Sequence, residues 1–176
     1  MRHMILAAML LAPVSAFAVG SDDDAPPEPT ESVTECEEGL VYDEATETCV
    51  TPEETTNDDS ARMEDIRSLA YEGRYADALG LLETMDPGDP MVLTYYGFVS
   101  RKMGDVPAGM DYYAAALEAD PDLLLARAYR GMAFIEAEDT VSAWTELQEI
   151  QARGGRGSWP EQALIRAIET GETIGY

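Results

Sequence analysis

Few side chains in this 176-residue chain have the chemistry for catalysis or metal binding: two cysteines, one histidine and thirty-five carboxylates. The histidine, His3, sits in an export-signal pattern. Met1-Arg2-His3 is a basic start, Met4 to Ala12 is an unbroken apolar run, and Ala16-Phe17-Ala18 follows Pro13 as a small-x-small cleavage site. The apolar run is about half of the ~20 residues that a membrane span requires. Residues 1–18 are therefore expected to be a secretory signal cleaved after about Ala18, leaving no stable membrane anchor. Cleavage also removes the only imidazole, and with it histidine-based acid–base chemistry and zinc binding. No Gly-x-Ser-x-Gly elbow, phosphate loop or Gly-x-Gly-x-x-Gly turn is present. Gly154-Gly155-Arg156-Gly157 reads as a helix stop. Asp22-Asp23-Asp24 and Asp58-Asp59 lack the alternating oxygens, central glycine and terminal glutamate of a calcium loop. No catalytic residue, metal ligand or cofactor is expected.

The cysteines are the remaining chemistry. Export places Cys36 and Cys49 where disulfides persist, and they are the only two. Leu40-Val41-Tyr42 and Cys49-Val50 are expected to pair as short strands about a turn at Asp43 to Glu47. Closing that loop is worth about 3 kcal/mol on the chain-entropy estimate. Neither a redox Cys-x-x-Cys spacing nor a full zinc set is available, so the pair reads as a structural staple. The stretch Cys36-x-x-Gly39-x-x-Tyr42-Asp43-x-x-Thr46-x-x-Cys49-Val50 resembles hairpins near the N-termini of some exported bacterial proteins. That resemblance names no ligand.

Charge divides the chain. Residues 19–60 carry 15 acidic and no basic side chains; residues 61–176 carry 20 acidic and 10 basic ones. The first segment, rich in Asp, Glu, Pro and Thr, is expected to be mostly disordered apart from the 36–49 hairpin. The net charge of −24 excludes nucleic acid as a partner, because phosphate binding needs a cationic surface. Basic proteins or cations are what such a surface attracts.

From Ala61 onward the spacing is helical. Met91 to Pro121 reads as two amphipathic helices flanking Gly104, with Met110, Tyr113, Ala114 and Leu117 as the inward stripe of the second. Gly97 and Gly131 lie 34 residues apart, as do Gly109 and Ala143, and Tyr113 and Leu147. Upstream, Gly73, Ala78 and Leu82 match Gly104, Gly109 and Tyr113 at an offset of 31, whereas Asp86-Pro87 matches Asp120-Pro121 at 34. The second helix of the first pair should therefore be about one turn short. Small residues at these slots let helix axes approach to 8–10 Å, and Pro87 and Pro121 stop each second helix. Ser158-Trp159-Pro160-Glu161 starts a last helix, with Leu164, Ile165 and Ile168 on one face. Trp144 and Trp159 are expected in the core at this end. A plain helix bundle would not explain small residues recurring at fixed offsets.

A 34-residue helix–turn–helix period is that of tetratricopeptide repeats. On Gly97…Gly109-x-x-x-Tyr113…Pro121, on Gly131…Ala143-x-x-x-Leu147, and on Glu72-Gly73-Arg74-Tyr75-Ala76-Asp77-Ala78-Leu79, residues 61–153 resemble that family. The resemblance implies an all-α fold: antiparallel helix pairs stacked as a short solenoid of about three repeats with a C-terminal capping helix, over residues 61–176. Arg127 and Arg130 depart from it, filling first-helix slots that are usually apolar. Either their stems run along the core edge or the third repeat is irregular.

By the same resemblance, the first helices line a concave groove for a peptide or protein. Carried onto this chain, the partner-binding residues are Arg67, Tyr71, Thr94, Phe98, Arg101, Lys102, Met132 and Ile135, with Met63, Ala128 and Glu136 beside them. Arg67, Arg101 and Lys102 would form a basic patch. The Lys/Asn pattern of carboxylate-clamp members is absent. The expected function is an exported, non-catalytic scaffold or adaptor in the cell envelope, periplasmic or secreted, whose partner is a peptide or protein. A cation-buffering acidic protein is the alternative, and an exported enzyme a distant third.

Overall fold

Aspartates and prolines set the helix starts. The computed structural model describes residues 28–173, so the export signal and Asp22–Asp24 lie outside the described residues. Among those described, the order is α1 (Glu31–Thr34), β1 (Val41–Asp43), β2 (Thr48–Val50), α2 (Asp59–Tyr71), α3 (Tyr75–Leu82), α4 (Pro90–Lys102), α5 (Val106–Ala119), α6 (Leu124–Glu136), α7 (Thr140–Ala152) and α8 (Trp159–Thr170). The carboxylate of Asp58 accepts the Ala61 N–H, Asp89 those of Met91 and Val92, Asp105 that of Ala108, and Asp139 that of Ser142. Each satisfies N–H groups that the first helical turn leaves without partners. Pro90, Pro107 and Pro160 occupy first-turn positions, where a missing N–H costs nothing.

The chain folds into antiparallel helix pairs, α2 with α3, α4 with α5 and α6 with α7, and α8 packs on α6 and α7. The turn inside each pair is the same object. In the first, the Arg74 N–H reaches back to the Leu69 carbonyl and Gly73 to Ala70; in the second, Asp105 reaches Ser100 and Gly104 reaches Arg101. In the third, Asp139 reaches Phe134 and Glu138 reaches Ile135. This double bond from the two residues past the helix end requires a left-handed residue. Gly73 and Gly104 supply it at φ 79° and 99°, and Glu138 takes the same position at φ 61°. Helix α3 has 8 residues against 14 in α5, but residues 83–89 after it are three more than residues 120–123 after α5, so the offset is 31 in the first pair and 34 thereafter.

The core runs through all three pairs. Ile66, Leu69, Ala78, Leu81, Val92, Tyr95, Phe98, Tyr113, Tyr129, Met132, Leu147 and Leu164 belong to one continuous buried cluster. Two expected inward residues are elsewhere. Ala114 is exposed on α5, where Tyr113, Ala116 and Leu117 take the inner face. Trp144 is 49% exposed on α7; only Trp159 of the two tryptophans packs against the core. Their shared chemistry misled: an indole's size favours burial, but the helix face decides it.

The N-terminal segment corrects the expectation of disorder. From Thr30 onward it is folded against the first pair. The Thr30 N–H donates to Ser68 Oγ at 3.0 Å, and its hydroxyl to Asp65 Oδ1 at 2.6 Å. Strands β1 and β2 pair antiparallel, with Tyr42 opposite Cys49, and Cys36 is bonded to Cys49. One arginine gathers the segment: Arg74 donates to the carbonyls of Ser32, Cys36, Glu37 and Leu40, while Asp77 neutralises it at 2.6 Å. Asp43 is a second centre, accepting from the backbone and hydroxyl of Thr56 and from Thr46. Those hydrogen bonds, Thr56's first, hold its carboxyl well below the usual carboxylate range. The segment is thus held by side chain–backbone bonds and one crosslink rather than by apolar area, a route that composition does not register.

Replacing Cys36 and Cys49 together with serine is expected to cost about 3 kcal/mol in urea denaturation. Hydrogen exchange should rise in residues 30–57 first, since the crosslink sits there. Unchanged stability would show that Arg74 and Asp43 suffice.

Candidate functional site

The first helices α2, α4 and α6 carry all eight expected groove residues. Arg67 and Tyr71 on α2, Thr94, Phe98 and Arg101 on α4, and Met132 on α6 are buried; only Lys102 and Ile135 are partly buried. An open groove lined by these side chains is therefore corrected to a packed interior. The reason is ring size. Tyr71 and Phe98 stack with centroids 5.7 Å apart and planes 5° off parallel, and Phe98 lies 4.9 Å from Tyr129. The hydroxyls of Tyr71 and Tyr129 share a 2.6 Å hydrogen bond, joining α2 to α6 directly. Trp159 of α8 adds a tilted ring 6.1 Å from Tyr71. Thr94 spends its hydroxyl on the Pro90 carbonyl of its own helix.

Two of the three expected cations do converge. The Arg101 guanidinium carbon lies 5.5 Å from the Phe98 centroid and Lys102 Nζ 5.8 Å from it, within cation–π range. Both approach one oxygen, Glu136 Oε1, at 2.5 and 3.6 Å. The Thr173 hydroxyl donates to that same oxygen. Arg101 Nε donates to the Tyr113 hydroxyl at 3.4 Å, while its second terminal nitrogen is buried without a hydrogen-bond partner. Arg67 is buried on α2.

The electrostatics follow from that arrangement. Burial opposes the charge on Arg101, but Tyr113 and the Glu136 carboxylate outweigh it and hold the guanidinium above its usual value. Burial likewise works against ionised Glu136, yet its bonds to Arg101 and Thr173 leave its carboxyl lowered. A depressed carboxylate stabilises the fold above its ordinary pKa and loses that contribution as pH falls through the lowered one. Lys102 is shifted down, first by burial and then by Arg101 beside it. Burial pushes Tyr113 up to about 12, against the pull of Arg101.

The counter-ion was readable but not paired at the sequence level. Glu136 lies 34 residues after Lys102, the same helix position in the next pair, so an acid and a base occupy adjacent slots of successive pairs.

Arg127 and Arg130 resolve differently from either expectation. Helix α6 is regular, and both guanidinium groups close on Glu146 of α7, Arg127 at 3.3 Å and Arg130 at 2.6 Å. Arg127 also donates twice to the Pro121 carbonyl, at 3.2 and 2.8 Å, tying in the connection from α5. Among the described residues no group of three His, Cys, Asp or Glu side chains is placed to hold a metal ion, and no helix is long and apolar enough to cross a membrane.

What remains reachable at this site is a rim. It is formed by Lys102 at the end of α4 and by Phe134, Ile135 and Glu136 at the end of α6. No family model, curated protein or solved structure matches this chain.

Proposed function

We propose that the protein is an exported, non-catalytic scaffold of the tetratricopeptide type that binds a peptide or protein partner. Its binding edge is the rim at the C-terminal ends of α4 and α6. The turn geometry supports the repeat reading: three successive pairs close on the same two backbone bonds, two of them at glycines 31 residues apart and the third 34 beyond. The crosslinked hairpin supports an oxidising compartment.

One observation carries the choice of edge. Arg101 is buried between Glu136 and the Phe98 ring, whereas Lys102, which shares both contacts, and Ile135 and Phe134 keep part of their surface. A half-exposed apolar pair beside a cation over an aromatic ring is a mixed surface of the sort that binds proteins. Chemistry has less support, because the ionisable groups here are engaged in holding helices together.

The test is crosslinked capture from envelope extracts, comparing the protein with its Lys102→Glu, Ile135→Asp double variant. These positions are chosen over Arg101 and Phe98, whose replacement would disturb the core. Loss of captured partners with an unchanged melting curve supports the reading. Full capture by the folded variant overturns the assignment of this edge.

A further inference from the structure

The outer face of α7 is unlike the rest of the surface. Every exposed residue of this helix is uncharged: Thr140, Val141, Trp144, Thr145, Gln148 and Ala152. Glu146 points the other way, to Arg127 and Arg130, and Glu149, at the edge of the face with its side chain 44% exposed, is paired with Arg153. On α5, the slots 34 residues earlier than Thr145 and Ala152 hold exposed Asp111 and Glu118. In place of charge, α7 presents Val141, 80% exposed, and Trp144 one turn on. These two side chains lie three residues apart and share a face.

The ends of that face carry opposite charge. Glu138 and Asp139 precede the helix; Arg153 and Arg156 follow it, about 20 Å away along a 13-residue helix. Among the described residues no carboxylate lies within ion-pair distance of Arg156, and Arg153 is shared between Asp122 and Glu149.

We infer that this face pairs with a second copy of the chain, α7 against α7, antiparallel about a two-fold axis near Glu146. The charge pattern selects this occupant. In a molecule of net charge −24, two copies repel through most orientations. An uncharged helix face is where that repulsion is weakest. The antiparallel arrangement brings Glu138 and Asp139 of each copy over Arg153 and Arg156 of the other, and places Trp144 across from the partner's Gln148. A parallel arrangement would set acid on acid. The interface is isologous, so each contact is made twice. A single helix face is below the ~800 Å² per partner of a standard stable interface, so the association is weak and reversible.

Sedimentation equilibrium of the purified protein across the micromolar range tests the pairing, and the single exposed tryptophan gives a second readout. The protein is expected to dimerise with rising concentration, with a blue shift and reduced quenching of Trp144 emission. Trp144→Asp should weaken the dimer at least about tenfold, and Val141→Glu likewise, both with unchanged melting temperatures because neither side chain is in the core. Glu138→Arg and Arg156→Glu should each weaken it singly and restore it when combined in one chain. A protein that stays monomeric, a dimer indifferent to Trp144→Asp and Val141→Glu, or a charge-swapped double variant that fails to recover would each overturn the pairing.

Discussion

Glu146→Ala is expected to cost about 3–5 kcal/mol of stability, because it strips a buried cation of its counter-charge. The Glu146 carboxylate is the shared acceptor of Arg127 and Arg130 across α6 and α7. Arg127 would keep the Pro121 carbonyl and a Glu149 oxygen at 4.0 Å, neither of which replaces a close carboxylate. Arg130, more open to water, would lose less. The contrast with replacing all three charges matters. Arg127→Met, Arg130→Leu, Glu146→Leu together should lose far less than Glu146→Ala alone, since the penalty comes from the orphaned charge rather than from the missing bond. Urea denaturation of the parent protein, Glu146→Ala and the triple variant measures both. A loss under about 1 kcal/mol for Glu146→Ala would show that water reaches Arg127 after all.

The second large effect is steric. Gly97 on α4 and Gly109 on α5 face each other at the closest approach of that pair. A methyl group on Gly109 would lie 2.8 Å from the Gly97 carbonyl oxygen and 3.0 Å from Arg101 Cβ. One on Gly97 would meet the Tyr113 ring at 2.6 Å and the Gly109 carbonyl oxygen at 3.0 Å. Backbone oxygen cannot rotate away, so the helices must separate. Alanine gains about 1 kcal/mol over glycine in a helix interior, yet Gly109→Ala is expected to lose about 3 kcal/mol net, at the upper end of overpacking costs. Gly97→Ala should cost somewhat less, because a ring edge gives more readily than a peptide. The double variant should fall well short of the sum, since the helices move apart once for both methyls. Thermal melts of the two single variants and the double suffice. A neutral Gly109→Ala would mean the pair already slides freely.

These glycines also mark how far the sequence could be read. The recurrence of Gly97 and Gly131 pointed to paired helices, and paired helices are what form. Equivalent slots do not imply equivalent neighbours, however. A Cβ on Gly97 meets its own pair partner, whereas one on Gly131 meets Leu164 of α8. Periodicity reports which face of a helix is small; it does not say what fills the space.

The groove illustrates the same limit. The family resemblance put Phe98 and Arg101 together on the inner side of α4, but openness of a face depends on the size of what stands opposite. Tyr71, Tyr129 and Trp159 come from three other helices, and their rings close the space. The N-terminal segment was misread for another reason. Thr30, Ser32, Asp43 and Thr56 are the residues of a solvated tail by composition, and here they are the ones that fasten the segment. The cysteine pairing was legible because a chain with two cysteines leaves one choice of partner. Glu138 was hidden because glutamate gives no signal for a left-handed turn.

Arg74 has a bearing on time as well as on shape. The four carbonyls it collects lie 34 to 42 residues ahead of it. A chain made from its N-terminus therefore presents the hairpin segment well before the side chain that will hold it exists. The disulfide can close locally in that interval, but docking must wait until α2 and α3 have formed. The hairpin segment is thus made before the helices it packs on and settles after them.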